Sequence, residues 1–282
     1  MSDPRAIGFF DSGVGGLTVL REVIRRLPNE STIYLGDNAR APYGPRTDDE
    51  VRHFSAECLD ELAARDVKAI VVACNTSSAI ALPELRLRYD LPLLGVVRPG
   101  ATAAALATRN QRVGVIATVA TVRSRAYFQA IKEEDPFVEV VEHATPALVP
   151  LVEDGQLEGA LVEQVVRDSI APMLEAQHGI DTLLLGCTHY PLLAPVIRRI
   201  VGTDVAVIDS ASATASALAG LLEIHSLAAP PDAIPTHVQL TTGDVDAFAL
   251  IAGRLFDPSL ASVESVELPG IAAVGAPAAV GE

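Results

Sequence analysis

Short apolar segments rich in β-branched residues alternate along the chain with longer segments in which apolar residues recur every three or four positions. The short segments predict buried β-strands, and the longer ones predict amphipathic helices. In residues 48–66, for example, the apolar positions from Val51 to Leu62 fall on one stripe of a helix. The predicted strands are Ile7–Phe10, Thr32–Leu35, Ala69–Ala73, Leu93–Val97, Val113–Ala117, Val138–Val141, Thr182–Leu185, Val205–Ile208 and Val238–Leu240.

Strands that alternate with helices indicate crossover connections and parallel pairing. The predicted fold is therefore α/β, with mainly parallel sheets flanked by helices. In such sheets the loops that follow the carboxyl ends of the strands carry the chemistry. Candidate functional residues are best sought in those loops.

An internal repeat indicates that the α/β pattern occurs twice. The strands before Cys74 and Cys187 both lead through a short polar cluster into a helix rich in Ala, Leu and Pro, at an offset of 113 residues (187 − 74). A second match, between Ile7–Phe10 and Val113–Ile116, has an offset of 106 residues (113 − 7). Short strand–turn–helix segments also match by chance, so the repeat stays open on this observation alone. If it is real, each unit has one cysteine at the end of a strand.

Length and composition restrict the class of protein. The 282 residues fit one large domain or two modest ones, and 49% hydrophobic residues are enough for a core. The net charge of −15 argues against direct binding to nucleic acid. We recognise no signal peptide and no apolar run of membrane-spanning length, and we expect three free thiols in a reducing cytoplasm. Residues 269–282 are rich in Ala, Gly and Pro without a period, and we expect a disordered tail there.

The three cysteines differ in their surroundings. Cys58 lies on the apolar stripe of a helix, where inert packing is expected. Cys74 and Cys187 each follow an apolar strand and precede polar residues, which places them at strand ends near the start of a helix. The amino end of a helix lowers the pKa of a thiol from about 8.5 and makes it reactive. Burial in the core is the competing explanation, but the matched pair favours a function.

Several chemistries can use two thiols. Disulfide switches usually have the spacing Cys-x-x-Cys, and a zinc site needs four ligands of which Cys187 and His189 supply only a fragment. A nucleophilic cysteine needs one base rather than a second, equivalent thiol. Two thiols that face each other across a cleft can instead remove a proton from one face of a carbon and return one to the other. The symmetry of the pair favours racemisation.

Other residues near these strand ends are candidates for the same site. Asp11 is either a base toward a thiol or the cap of the next helix. The glycines that follow it do not form G-x-G-x-x-G, and we expect their N–H groups to bind a carboxylate. His189 can form a hydrogen bond with Cys187 or with a substrate, whereas Glu153 has the local pattern of a solvated loop carboxylate.

Four ordered motifs are shared with a known family. They are Gly8–Gly16 (GFFDSGVGG), Tyr34–Asp37 with Pro42-Tyr43-Gly44, Ala73–Thr76 (ACNT) and Gly186–Pro191 (GCTHYP). On these motifs the chain resembles the glutamate racemases, a cofactor-independent group with two cysteines that supplies D-glutamate for peptidoglycan. The resemblance implies two similar, pseudo-symmetric domains with the active site in the cleft between them. We expect residues 1–98 together with 209–268 to form the first domain, on the Cys74 side, and residues 99–208 to form the second.

The resemblance also implies roles for individual residues. Cys74 and Cys187 are expected to be the two acid/base residues, with Asp11 assisting Cys74, and with His189 and Glu153 assisting Cys187. The expected substrate-binding residues are Asp11, Ser12, Tyr43, Gly44, Asn75, Thr76, Thr118, Thr121, Thr188 and His189. We expect no cofactor and no metal.

The expected partners and the alternatives follow from the same resemblance. The family tends to form homodimers and acts on L- and D-glutamate. One alternative is an aspartate racemase, although those enzymes carry Glu where this chain has His189. A second is inhibition of DNA gyrase, which some glutamate racemases show and which would require protein contact given the acidic charge.

Overall fold

The computed structural model describes residues 2–176, 179–255 and 262–269, and within these ranges the strands form two separate sheets. Every neighbouring pair of strands in both sheets is parallel. The strands are β1 (Ile7–Asp11), β2 (Thr32–Gly36), β3 (Ala69–Val72), β4 (Leu93–Gly95), β5 (Arg112–Ala117), β6 (Glu139–Ala144), β7 (Thr182–Gly186), β8 (Ala206–Asp209), β9 (His237–Thr241) and β10 (Val263–Ser265).

Helices connect the strands and cover the sheets, which confirms the predicted α/β class. The helices are α1 (Leu17–Arg26), α2 (Asp48–Ala64), α3 (Asn75–Ile80), α4 (Leu82–Leu85), α5 (Val97–Ala107), α6 (Val119–Ser124), α7 (Ala126–Glu134), α8 (Leu148–Glu153), α9 (Ala160–Ala176), α10 (Ala194–Val201), α11 (Ser210–Ile224) and α12 (Val245–Leu255). A 3₁₀ turn, Tyr190–Leu193, precedes α10. No helix of the described ranges is long and apolar enough to cross a membrane.

The two sheets draw on different parts of the chain. The first has the order β10-β9-β2-β1-β3-β4, so it combines strands from both ends of the sequence. The second has the order β6-β5-β7-β8 and comes from the middle of the sequence. Because all the strands of a parallel sheet run in one direction, each sheet places its strand-ending loops along a single edge.

Alternating side chains give the first sheet a hydrophobic core on each face. Phe10 of β1 belongs to a core with Val51 and Cys58 of α2, and Phe9 belongs to the opposite core with Leu17 of α1. Cys58 is fully buried, as its place on the helical stripe predicts. The helix α2 begins with a capping box between Thr47 and Glu50, in which each side chain accepts a hydrogen bond from the other's backbone N–H.

The strand predictions fail at three places. The predicted strand Leu93–Val97 ends at Gly95, because the apolar run continues into the buried first turn of α5 and hydrophobicity does not mark the change. The strand β6 extends beyond Val141 to Ala144, since its polar residues pair with β5. The short strand β10 was not predicted, because its three residues form no apolar run. Apart from Pro269, the predicted tail of residues 269–282 lies outside the described residues.

A buried ion pair supports the start of β3. Lys68 Nζ lies 2.5 Å from Glu30 Oε2 and donates a hydrogen bond of 2.7 Å to the carbonyl oxygen of Asp3. Glu30 also accepts a hydrogen bond of 2.7 Å from the N–H of Ala229. Both charged side chains are almost fully buried, so each depends on the other for compensation of its charge.

Removal of one charge from this pair should destabilise the fold. We expect Lys68→Met to lower the free energy of unfolding by about 3–5 kcal/mol, because the Glu30 carboxylate stays buried without its cation. The double variant with Glu30→Gln should recover most of this loss. Urea denaturation gives the comparison, with Lys132→Met as the control for loss of an exposed lysine. A double variant that is less stable than Lys68→Met would contradict this explanation.

Candidate active site

One small cavity brings together strand-ending loops of both sheets, and both candidate cysteines line it. Its volume is about 20 Å³, room for about one water molecule. The first sheet contributes the loops after β1, β2 and β3, and the second contributes those after β5 and β7. The lining residues are Ser12, Pro42, Tyr43, Gly44, Cys74, Asn75, Thr76, Thr118, Val149, Cys187, Thr188 and His189.

Cys74 is the residue before α3, and its sulfur accepts a hydrogen bond of 3.4 Å from the N–H of Ser77. The Cys74 thiol also lies 3.7 Å from the hydroxyl oxygen of Ser12. Burial, followed by the negative charge of Asp11, raises the pKa of Cys74 to about 11. The helix start does lower the pKa of Cys74 through the N–H of Ser77, but burial and the charge of Asp11 outweigh this effect, so the pKa of the thiol is raised rather than lowered as expected.

Asp11, at the end of β1, is fully buried and holds the glycine-rich loop. Its Oδ2 accepts hydrogen bonds of 3.2 Å from the N–H of Gly13 and 3.0 Å from the N–H of Gly16, the residue before α1. These glycine N–H groups thus bind a carboxylate that belongs to the protein itself. Burial raises the pKa of Asp11, although the charge of His189 and the hydrogen bonds from both glycines act against this. The N-cap residue of α1 is Gly16, so Asp11 is not the cap of that helix, whereas its charge does act on Cys74.

Cys187 follows β7 and has a different set of neighbours. Its sulfur lies 3.7 Å from His189 Nδ1, and His189 Nε2 lies 3.5 Å from Glu153 Oε1 at the end of α8. The Glu153 side chain is 35% exposed, so this carboxylate connects the buried histidine to solvent. Burial alone lowers the pKa of His189, but Cys187, Glu153 and the charge of Asp11 outweigh it and raise the pKa to about 10. His189 is therefore an imidazolium at neutral pH.

Polar side chains from both sheets meet around the cavity. The hydroxyl of Thr76 lies 3.0 Å from that of Thr118 and 3.3 Å from that of Thr121. Thr118 lines the cavity. Thr121 does not line it and is fully buried, with its hydroxyl next to those of Thr76 and Thr118. The side chain of Thr188 donates a hydrogen bond of 3.4 Å to Asp11, which links the two halves of the site.

Tyr43 and Gly44 form one wall of the cavity. Tyr43 lines the cavity, and its hydroxyl donates a hydrogen bond to Asp37. A Cβ on Gly44 would lie 3.1 Å from the Cβ of Thr118, which shows how closely this wall approaches the second sheet. Asp37 belongs to the motif Tyr34–Asp37, but no role was assigned to it from the sequence. It lies directly after the end of β2, and a position at a strand end is what identified the other candidate residues.

Two further residues at the site were missed. Tyr127, in α7, donates a hydrogen bond from its hydroxyl to Asn75 Oδ1, and Val149, in α8, lines the cavity. Neither belongs to a strand-ending motif, so no local signal identifies them. Within the described residues, no group of three or more His, Cys, Asp or Glu side chains is arranged to hold a metal ion.

The Asp/Glu/Hydantoin racemase family model matches residues 10–218 of the chain. The chain belongs to this racemase family. The glutamate racemase of Exiguobacterium sibiricum is 48% identical to this chain over 248 residues. These residues are 88% of this chain and 91% of that protein. The resemblance that the four motifs predict is thus confirmed, and the racemase is an isomerase that acts on amino acids.

Solved structures support the same relationship. The crystal structure of a glutamate racemase isoform from Bacillus anthracis matches this chain with a TM-score of 0.90 at 44% identity. The match covers 94% of this chain and 98% of that one. The glutamate racemase of Francisella tularensis, solved in complex with D-glutamate, matches with a TM-score of 0.87 at 33% identity and the same coverage. The two parallel sheets and their helices are therefore the fold of this family.

The close approach of the two loops at Gly15 gives a first prediction for the site. A Cβ at Gly15 would lie 2.5 Å from Thr188 Oγ1 and 2.8 Å from His189 Nδ1. We expect Gly15→Ala to lower racemase activity about 10²-fold, because it displaces His189 and its neighbours from their positions. The control is Gly220→Ala in α11, where a Cβ meets nothing within 4 Å, and its activity should be unchanged. Equal activities of the two variants would contradict the packing.

The protonation of His189 predicts a dependence of stability on pH. Because the folded pKa of about 10 exceeds the ordinary value of 6.5, the proton stabilises the fold fully below pH 6.5. That contribution is lost as the pH rises toward 10. Urea denaturation should show that the wild type loses more stability over this interval than His189→Gln does. Parallel losses in the two proteins would show that His189 is not protonated in this way.

Proposed function

We propose that the racemase interconverts L-glutamate and D-glutamate by proton transfer to and from two cysteines. The observation that supports this most directly is that Cys74 and Cys187, from different sheets, line one cavity. A substrate held between the two sulfurs can lose its α-proton to one of them as a thiolate, and the planar carbanion that results can gain a proton from the other as a thiol. The product then has the opposite configuration at its α-carbon.

The surroundings of the two thiols suit opposite roles at neutral pH. Cys74, with a pKa of about 11, holds its proton and can act as the acid. Cys187, whose sulfur lies 3.7 Å from His189 Nδ1, is assigned the role of the base. In one direction the Cys187 thiolate takes the α-proton and the Cys74 thiol donates its own to the opposite face. The reverse reaction starts from the exchanged protonation states.

The α-proton of an amino acid is far less acidic than a thiol, so the site must stabilise the carbanion. The side-chain nitrogen of Asn75 is buried and has no hydrogen-bond partner among the described residues, so it is available to a substrate oxygen. Ser12, Thr76 and Thr188 add hydroxyl groups at the same cavity. Preorganised donors in a site that excludes water strengthen such stabilisation considerably.

Substrate entry requires the site to open. A cavity of about 20 Å³ does not hold glutamate, so the loops of the two sheets must move apart to admit it. The hydroxyl contacts between Thr76 and Thr118, and between Thr188 and Asp11, are the interactions that such a movement would break or rearrange. Glutamate oxygens can replace them on closure.

The proposed reaction is tested with L-glutamate in D₂O and no added cofactor, following ellipticity and α-deuteration together. We expect ellipticity to fall to zero as deuterium is incorporated. A parallel reaction with L-aspartate separates the glutamate and aspartate alternatives, and faster conversion of aspartate would overturn the assigned substrate. Folded, reduced protein that changes neither amino acid would refute the racemase activity.

The individual cysteines have distinct expected phenotypes. Cys74→Ser and Cys187→Ser should each lower racemisation about 10²–10⁴-fold, because a hydroxyl is a much weaker acid than a thiol. Each variant should still exchange the α-proton of one enantiomer, and the favoured enantiomer should differ between them. The control is Ser216→Ala, which removes an exposed hydroxyl of α11 away from the cavity, and its activity should be unchanged. Equal exchange of both enantiomers in both serine variants would contradict the two-base scheme.

Three further properties belong to this proposal. We infer that the enzyme acts in the cytoplasm and supplies D-glutamate for peptidoglycan. Depletion of the enzyme in cells, with rescue of growth by added D-glutamate, tests this. The homodimer expected from the family is tested by light scattering. Inhibition of DNA gyrase stays a prediction from the resemblance, and a supercoiling assay with the variant lacking both Cys74 and Cys187 would separate it from racemisation.

A further inference from the structure

A buried polar cluster lies on the side of Tyr43 away from the cavity, and the proton transfer described above does not use it. It consists of Asp37, Arg40, Tyr43 and Glu57 and is called the Asp37 cluster below. Asp37 Oδ2 accepts hydrogen bonds from the Tyr43 hydroxyl and, at 2.7 Å, from Arg40 Nε. Asp37 Oδ1 accepts a hydrogen bond of 2.7 Å from the hydroxyl of Thr242. The Asp37 carboxylate is thus held from three directions.

Arg40 connects Asp37 to a second carboxylate. Its Nη1 contacts Glu57 of α2, and its guanidinium carbon lies 4.3 Å from the centre of the Phe54 ring. The side chains of Arg40 and Glu57 are only 11% and 12% exposed. A planar guanidinium can bind two carboxylates in fixed directions, which an ammonium group cannot do equally well. This arrangement is more constrained than an ordinary surface ion pair.

Through Tyr43 the cluster reaches the cavity wall. Tyr43 and Gly44 both line the cavity, and the carbonyl oxygen of Gly44 accepts a hydrogen bond of 3.3 Å from the N–H of Ala120 in α6. The wall formed by residues 42–44 therefore spans from the first sheet to a helix of the second. Its position depends on the hydrogen bond that the Tyr43 hydroxyl donates to Asp37.

We propose that Arg40, held by Glu57, is a positioning residue that fixes the Asp37–Tyr43 pair and so sets the wall of residues 42–44 against α6 when the site closes on substrate. This inference rests on the proposed function, because it concerns the same site. Arg40 and Glu57 do not line the cavity, and the one cysteine in contact with Arg40 is Cys58 of the core, whose sulfur lies 3.8 Å from Arg40 Nη2. Their effect is on substrate binding by the closed wall, and the proton transfer itself is left to the thiols.

Kinetics of matched variants separate this role from a purely structural one. We expect Arg40→Gln and Tyr43→Phe each to raise the KM for glutamate about tenfold while kcat changes less than about threefold. Glu57→Gln should raise KM by a smaller factor. The control is Arg65→Gln, which removes an arginine from a 2.7 Å pair with Glu61 on the same helix, away from the cavity, and its KM should be unchanged.

Non-additivity tests the order of the connections. If Glu57 acts through Arg40, the double variant Arg40→Gln with Glu57→Gln should have the KM of Arg40→Gln alone. A merely structural role lowers the thermal stability of the variants and leaves the KM of the folded protein unchanged. That result, or a fall in kcat at constant KM, would overturn the inference.

Hydrogen exchange in the free protein gives a readout that needs no activity. Amides in residues 40–47 and the N–H of Ala120 should exchange faster in Arg40→Gln and Glu57→Gln than in the wild type or Arg65→Gln. Unchanged exchange in these segments would refute the positioning role even in an active enzyme. A wild type that does not racemise glutamate would instead refute the proposed function, and the exchange measurement would still report on the wall.

Discussion

The buried carboxylate of Asp11 is the point at which the two halves of the molecule depend on each other. From the first half it receives the N–H groups of Gly13 and Gly16. From the second half it receives the hydroxyl of Thr188 and the charge of His189. A carboxylate without water is stable only when such donors surround it, so neither half alone completes this site. The need of the Asp11 carboxylate for hydrogen-bond donors therefore ties together the glycine-rich loop, the start of α1 and the loop after β7.

Cys74 and Cys187 each follow a strand of a parallel sheet, β3 and β7, but their neighbours differ. Cys74 has a serine hydroxyl, a backbone N–H and the charge of Asp11, and it stays protonated. Cys187 has an imidazolium that is itself held by Glu153. Two cysteines at strand ends therefore lie in different electrostatic environments. The proposed reaction needs one acid and one base at any moment, and this asymmetry would supply both without a change in the type of side chain.

Sequence patterns predicted what depends on periodicity and on strand ends, and failed where long-range burial decides. Nine strands and the cavity residues after β1, β3, β5 and β7 could be predicted, because apolar runs and polar motifs mark them. The raised pKa of Cys74 could not be predicted from the sequence, because the desolvation of a thiol depends on which parts of the folded chain cover it. Tyr127 could not be predicted either, because a tyrosine in an ordinary helix has no motif until the fold brings it to Asn75. The polar strand β10 is identified only by its pairing with β9.

The small volume of the closed cavity has a consequence for the path of individual hydrogen atoms. With room for about one water molecule, the thiols exchange hydrogen with solvent mainly while the site is open. In the proposed reaction, a hydrogen taken from one enantiomer would stay on its sulfur until the site opens to release the product. Where the site closes on a new substrate before that hydrogen exchanges, a substrate that reacts in the opposite direction would receive it at its α-carbon. The protein would in this way carry an isotopic label from one substrate molecule to another, and the fraction carried would measure how long the site stays open between turnovers.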